Sequence, residues 1–227
     1  MSENVKLVSY SNPVDYLLDK NIKNLEDLIC YCARVSNPSN QFNSLTNNKL
    51  IKYLLDNKHH SPFEMVNVCL EINTTRDIAR QILRHRSFSF QEFSQRYADA
   101  SQLGFEVREA RLQDMKNRQN SIELSDLMSD NAIVSDWERY QIEVIDMVQE
   151  YYNKALSMGI AKEQARAILP EGMTKSRMYM NGTLRSWVHY IQLRSANGTQ
   201  KEHRQIAIDC AKAIEPIFPM ITEFVSE

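Results

Sequence analysis

Val5 to Tyr10 alternate apolar and polar residues, the period of a strand with one buried face. Ile22, Leu25, Leu28, Ile29 and Cys32 then recur at helical spacing, as do Leu50, Ile51, Leu54 and Leu55, before Pro62 interrupts the chain. Val66, Val68, Leu70 and Ile72 alternate with Asn67, Cys69, Glu71 and Asn73, which predicts a half-buried strand. Behind it Ile78, Ala79, Ile82 and Leu83 make one apolar helical face. Trp137, Tyr140, Val144, Ile145, Val148, Tyr152, Ala155 and Leu156 predict a long helix stopped by Gly159. A short helix over 162–168 ends before Pro170, and Met173 to Asn181 reads as a strand. Leu184, Trp187, Val188 and Ile191 form a helical stripe, and Ile206, Cys210 and Ile214 another that runs to Pro216. Three capping-box patterns, at 74–77, 135–138 and 199–202, mark expected helix starts. The polar stretch 112–135 reads as a variable insertion. With no repeat and no linker, 1–227 reads as a single domain of mixed α/β (α+β) class.

At 227 residues the chain is long enough for one sizeable core. Its net charge of -2 gives no global attraction to nucleic acid or to an anionic membrane. No apolar run reaches the length of a membrane span, and MSENVKLVSY lacks the apolar core of a signal peptide. A cytoplasmic protein is expected. The four cysteines, Cys30, Cys32, Cys69 and Cys210, form no C-x-x-C and read as reduced thiols. The five histidines (59, 60, 85, 189 and 203) show no metal-site spacing, so no metal is expected. The five glycines are too scattered for any Gly-rich phosphate loop. A nucleotide would have to be held by side chains.

Those side chains are concentrated in one place. Residues 76–96 hold five Arg, no Lys and only two acids, Asp77 and Glu92. Arg76, Arg80 and Arg84 fall four apart, so a continuous helix would line them in one stripe. Arg84-His85-Arg86 is followed by Phe88, Phe90, Glu92, Phe93, Ser94 and Arg96. Bidentate guanidinium forks suit phosphate oxygens, and aromatic rings can cover a flat ring system. The composition of this stretch fits a planar, phosphorylated anion. A salt-bridged surface over core phenylalanines, or a module that stacks single-stranded nucleic acid, are the alternatives that residue types alone leave open.

R-H-R, seven residues, then S resembles the signature of the flavin-dependent thymidylate synthases. Other segments agree in order: Ala33-Arg34-Val35-Ser36, His59 to Glu64, Ala165-Arg166 with Leu169-Pro170, Arg185-Ser186 through Leu193-Arg194, and Gln200 with Glu202. The resemblance covers roughly 30–215 and is weakest over 112–135. It implies a small central, largely antiparallel sheet flanked by helices, assembled as a homotetramer with shared active sites. It implies reductive methylation of dUMP to dTMP, with methylenetetrahydrofolate giving the carbon and FAD, reduced by NADPH, giving the hydride. Gln81, Arg84, Glu92, Phe93, Ser94, Gln95, Arg96, Arg166 and Arg194 fall at dUMP positions. Ser61, Glu64, Arg84, His85, Arg86, Glu92, Thr183, Arg185 and His189 fall at or near FAD positions, and His59 falls near flavin and folate. Arg194 falls where the substrate is activated, and no enzyme nucleophile is required. A catalytically inactive, nucleotide-binding relative is the remaining alternative.

Three positions depart from the family pattern. Thr183 stands where Asn is common, Met65 where His is frequent, and Gly198 where His precedes the Q-x-E pair. Each removes a hydrogen-bonding side chain near the expected FAD site, so rearranged FAD contacts are expected there.

Overall fold

A computed structural model describes residues 4–124 and 131–226. In chain order the elements are β1 (Val5–Tyr10), α1 (Asp15–Leu18), α2 (Leu25–Ala33), α3 (Asn47–Asp56), β2 (Asn67–Thr75), α4 (Arg76–Ile82) and β3 (Phe88–Glu92). They continue with β4 (Arg111–Gln113), β5 (Ser121–Glu123), α5 (Asn131–Ser157), α6 (Lys162–Ala165), β6 (Lys175–Thr183), α7 (Leu184–Ser195) and α8 (Lys201–Ile214). This is a mixed α/β fold around a four-stranded sheet of order β1-β2-β6-β3, antiparallel at every pairing. Strands β4 and β5 form a separate hairpin. Among the described residues no helix is long and apolar enough to cross a membrane.

The alternation in β2 sets the register. Val68, Leu70 and Ile72 are fully buried and face Met178 and Met180 of β6 and the helices. The alternate positions Glu71, Asn73, Arg177 and Tyr179 form a polar outer face, where Arg177 Nε donates to Asn73 Oδ1 at 2.8 Å. A one-residue slip would turn the three apolar β2 side chains to water. That would cost roughly 5–9 kcal/mol, comparable with a domain's whole stability margin. Helices α7 and α8 seal the inner face with Leu184, Trp187, Val188, Ile191, Ile206, Cys210 and Ile214. Trp187 Nε1 donates to the Val68 carbonyl at 2.9 Å, so the largest buried ring also ties α7 to the sheet.

The outer strand β3 depends on a glycine. Gly182 lies opposite Phe88, and a Cβ at 182 would sit 2.4 Å from the Phe88 ring. The bare backbone lets that ring lie over β6 and meet Trp187 edge-on at 4.8 Å. Phe88 stands two residues after Arg86, so this contact seats the loop that carries the arginines.

Several expectations change. None of the three capping boxes forms. Thr75 precedes α4, but its hydroxyl bonds Asp77 and Arg108 and caps no helix N–H. Ser135 lies inside α5, which begins at Asn131. At α8 the cap position is Gln200, and no side chain caps it. Arg108 takes Thr75 and Asp77 of the first box, and Arg108 and Arg111 take Glu202 of the third. The arginine stripe also breaks up. Arg76 is buried against Glu92 at 3.5 Å, Arg80 pairs with Glu171 at 2.8 Å, and Arg84 lies beyond the end of α4. In the long helix α5, Val148 and Tyr152 are buried in a second small core with Ala100, Ala165 and Leu169. Trp137, Tyr140 and Val144 are exposed instead; in the front half of α5 the buried position is Gln141, which bonds the Arg108 backbone. The stretch 112–135 contains the end of β4, all of β5 and the start of α5, with 125–130 outside the described residues.

Gly182→Ala should force the Phe88 ring aside and lower stability by about 1–3 kcal/mol. Chemical denaturation checks this, and an unchanged midpoint would contradict the packing described.

Candidate active site

The R-H-R segment occupies residues 84–86 of the turn between α4 and β3. It is fastened to α7 at both ends. Ser186 Oγ donates to the Ser87 carbonyl at 3.3 Å, and Arg194 Nε donates to His85 Nε2 at 2.9 Å. The His85 ring stands edge-on to Tyr190 at 4.9 Å. Burial lowers the His85 pKa to about 4, with the Arg194 and Arg84 charges adding to the effect. Near neutral pH His85 is therefore an uncharged acceptor, the state its bond from Arg194 requires. Arg194 spends only its Nε among the described residues, so both Nη groups are free to donate. Arg84 and Arg86 are exposed and have no carboxylate partner among the described residues.

Behind this loop runs a chain of hydrogen bonds whose donors all point one way. The Tyr190 hydroxyl lies 3.2 Å from His203 Nε2, and His203 Nδ1 lies 3.2 Å from Gln81 Oε1. Gln81 Nε2 donates to Gln200 Oε1 at 2.8 Å, and Gln200 Nε2 donates to Glu202 Oε2 at 2.9 Å. Burial holds Tyr190 protonated, so it donates. Burial also lowers the His203 pKa to about 3, reinforced by Arg194 and His85. The neutral ring then accepts at Nε2 and donates from Nδ1. Glu202 ends the chain as an anion. Burial raises its pKa, but its own backbone N–H, Arg108, Gln200 and Arg111 outweigh that and leave it below the usual range. Arg108 holds Glu202 at 3.1 Å, and Arg111 holds its other oxygen. The result is a Gln81 amide of fixed orientation with one N–H to spare.

The other residues expected at the site fall into two further groups. On the turn 61–65, Glu64 pairs with Arg185 of α7, and the His60 and His189 rings meet at 5.2 Å. Exposed Ser61 belongs to this turn, while His59 is exposed and edges Tyr53 at 6.0 Å. The second group joins the turn after β3 to α6. Arg96 pairs with Glu163 at 3.4 Å, Arg166 Nε donates to the Glu163 carbonyl at 3.3 Å, and Lys162 donates to the Tyr97 carbonyl at 3.2 Å. Among the described residues no hydrogen bond or ion pair joins this group to His85 or Arg194. Glu92 is held by Arg76 and by the Ser176 hydroxyl at 2.8 Å. The Phe93 N–H is spent on the Arg177 carbonyl at 2.8 Å. Gln95 is buried with its Nε2 unpartnered. Thr183 caps α7, accepting from the Ser186 N–H at 3.2 Å.

Tyr190, His203, Arg108 and Arg111 were not among the residues picked from the sequence. Their only signal was adjacency: His203 follows the matched Gln200 and Glu202 directly. No activated nucleophile is present among the cysteines, since burial drives Cys30 up to about 12 and Cys210 well above its ordinary value. Of the candidate bases near Ser94 in sequence, His85 has its Nε2 committed to Arg194, and Glu92 is held by Arg76 and Ser176. Among the described residues no cluster of three His, Cys, Asp or Glu side chains could hold a metal ion. The residues do fit a dinucleotide cofactor. Arg84 and Arg86 offer unpaired forks for a diphosphate, and His60 Nδ1 is buried without a partner beside His189.

Residues 16–220 match the family described as thymidylate synthase complementing protein. The chain is 46% identical over 218 residues to a probable flavin-dependent thymidylate synthase of Paramecium bursaria Chlorella virus 1, covering 96% of each chain. It is 46% identical over 217 residues to the flavin-dependent thymidylate synthase of Synechocystis, with the same coverage of 96% each. Among solved structures it is similar to a UMP/dUMP methylase, PolB from Streptomyces cacaoi, bound with 5-Br dUMP. That likeness has a TM-score of 0.74 at 25% identity and covers 97% of this chain and 93% of the other.

Half-buried His85 and fully buried His203 make stability depend on pH in a defined sense. Both have folded pKa values below the unfolded value of about 6.5. The unfolded chain therefore binds more protons in this window. Their contribution is complete above about pH 6.5 and is lost as pH falls toward 4. Thermal melts from pH 8 to 4 should show the decline, and His203→Gln should flatten it. A decline equally steep in that variant would contradict the reading.

Proposed function

The chain belongs to the thymidylate synthase complementing protein family, the flavin-dependent thymidylate synthases, and we propose that it methylates dUMP reductively to dTMP, taking the carbon from methylenetetrahydrofolate and the hydride from FAD that NADPH has reduced. The observation that carries this reading is the Arg194–His85 bond at 2.9 Å. It fixes a guanidinium whose two Nη groups have no partner among the described residues, against a loop whose two arginines lack a carboxylate partner there. A guanidinium stays charged at every working pH. Placed against N3 and the carbonyl oxygens of a uracil ring, it stabilises the anionic, enolate-like form of the ring that attacks the carbon donor. The ring is thereby made nucleophilic without a protein thiol, in keeping with cysteines that burial holds protonated.

In this reading Gln81, oriented by His203 and Gln200, donates its spare N–H to the nucleotide. Ser94, Arg96 and Arg166 take the phosphate, with Glu92, Phe93 and Gln95 shaping the turn around it. Arg84, His85 and Arg86 meet the FAD, together with Ser61, Glu64, Thr183, Arg185 and His189, and His59 lies by the flavin and folate. When bound, the flavin supplies the hydride that completes the methyl group; the protein orients the rings and excludes water. The separation of the Arg96–Arg166 group from Arg194, and the exposed apolar front of α5, support a homotetramer whose sites are shared between copies.

Purified protein should take up FAD and release tritium from 5-labelled dUMP when folate and NADPH are present. Arg194→Ala should keep the flavin spectrum and lose roughly 100- to 1,000-fold in turnover. A colourless protein that takes up no FAD, or a variant with undiminished turnover, would contradict the proposal.

A further inference from the structure

The β4–β5 hairpin, α5 and the loop into α8 enclose a cavity of about 680 Å³. Five cations line it, Arg108, Arg111, Arg118, Lys201 and Arg204, against two carboxylates, Glu109 and Glu123. Lys201 holds both carboxylates, at 2.8 and 2.7 Å. Arg108 is held by Asp77 and Glu202, which do not line the cavity, and Arg111 by Glu202 and, at 3.4 Å, by Glu109.

Three donors are left over. Arg118 has no carboxylate partner among the described residues. Arg204 commits only its Nε, to the Ser195 carbonyl at 2.7 Å. Arg111 Nη1 is buried with no hydrogen-bond partner among the described residues. A charged donor in that position costs stability unless something supplies an acceptor. One side of the cavity is apolar, with Trp137 and Ile133, and an indole face suits a flat body. Guanidinium forks suit the paired oxygens of phosphate or carboxylate.

We infer that this cavity binds a small organic dianion with a flat body, its charge carried by a phosphate or by two carboxylates. The inference does not rest on the reaction proposed above. Gln200 lines the cavity and also bonds Gln81, so an occupant sits one hydrogen-bonded residue away from the amide proposed to meet dUMP. The site itself is separate from Arg84 and Arg86.

Calorimetric titration of the full-length, flavin-free protein tests this with two probes, phenyl phosphate and isophthalate. Saturable binding of phenyl phosphate alone identifies a phosphate ligand, of isophthalate alone a dicarboxylate, and of both the shared dianion chemistry; each outcome supports the inference. Arg118→Ala and Arg204→Ala should each weaken binding roughly tenfold, about the worth of one charge-assisted hydrogen bond, while Arg84→Ala should leave it unchanged. Arg118 is exposed on the hairpin, so that variant folds even if Arg204→Ala does not. Failure of both probes to bind at millimolar concentration would overturn the inference. So would binding that survives Arg118→Ala, or that is lost in Arg84→Ala.

Discussion

Two uncharged imidazoles hold the site in order. His85 must be neutral to accept from Arg194, and His203 must be neutral to take a proton from Tyr190 at one nitrogen and give one to Gln81 from the other. Protonating His203 would turn its Nε2 from an acceptor into a donor facing a hydroxyl that already donates. The chain from Tyr190 to Glu202 would then lose its direction. Burial imposes the neutral state, and the Arg194 charge beside both rings reinforces it. The same cation that is proposed to act on the substrate thus keeps its own support uncharged.

The fold delivers these groups through α7. Along its length it carries Arg185 and His189 toward the 61–65 turn, Trp187 and Tyr190 into the core, and Arg194 to the R-H-R loop. The sheet sets where α7 begins, because β6 runs straight into it at Thr183. Gly182 then admits Phe88 and so positions the loop from the other side. At the far end, Glu202 fastens α8 to Arg108 and Arg111, which makes the segment leading into β4 part of the support for Gln81.

Strands β1, β2 and β6 and the buried helices α7 and α8 were legible because their apolar periods match what the core demands, whereas β3, β4 and β5 were not expected from the sequence. The helix starts were less legible. Capping is worth about 1 kcal/mol, and ion pairs between residues more than 80 apart, such as Glu202 with Arg108 and Arg111, redirect those side chains. The front of α5 misled for a different reason. Its period announces an apolar face but not whether the chain itself covers it. At the site, the R-H-R motif located the arginines, whereas Tyr190 and His203 carry no motif of their own. They were invisible until α7 and α8 packed together.

The protonation of His85 and His203 can be read directly by NMR titration of their ring protons in the folded protein. This account predicts that both rings stay largely neutral from pH 8 down to about 5, with the His85 midpoint near 4 and the His203 midpoint lower still. A midpoint near 6.5 for either ring would contradict it.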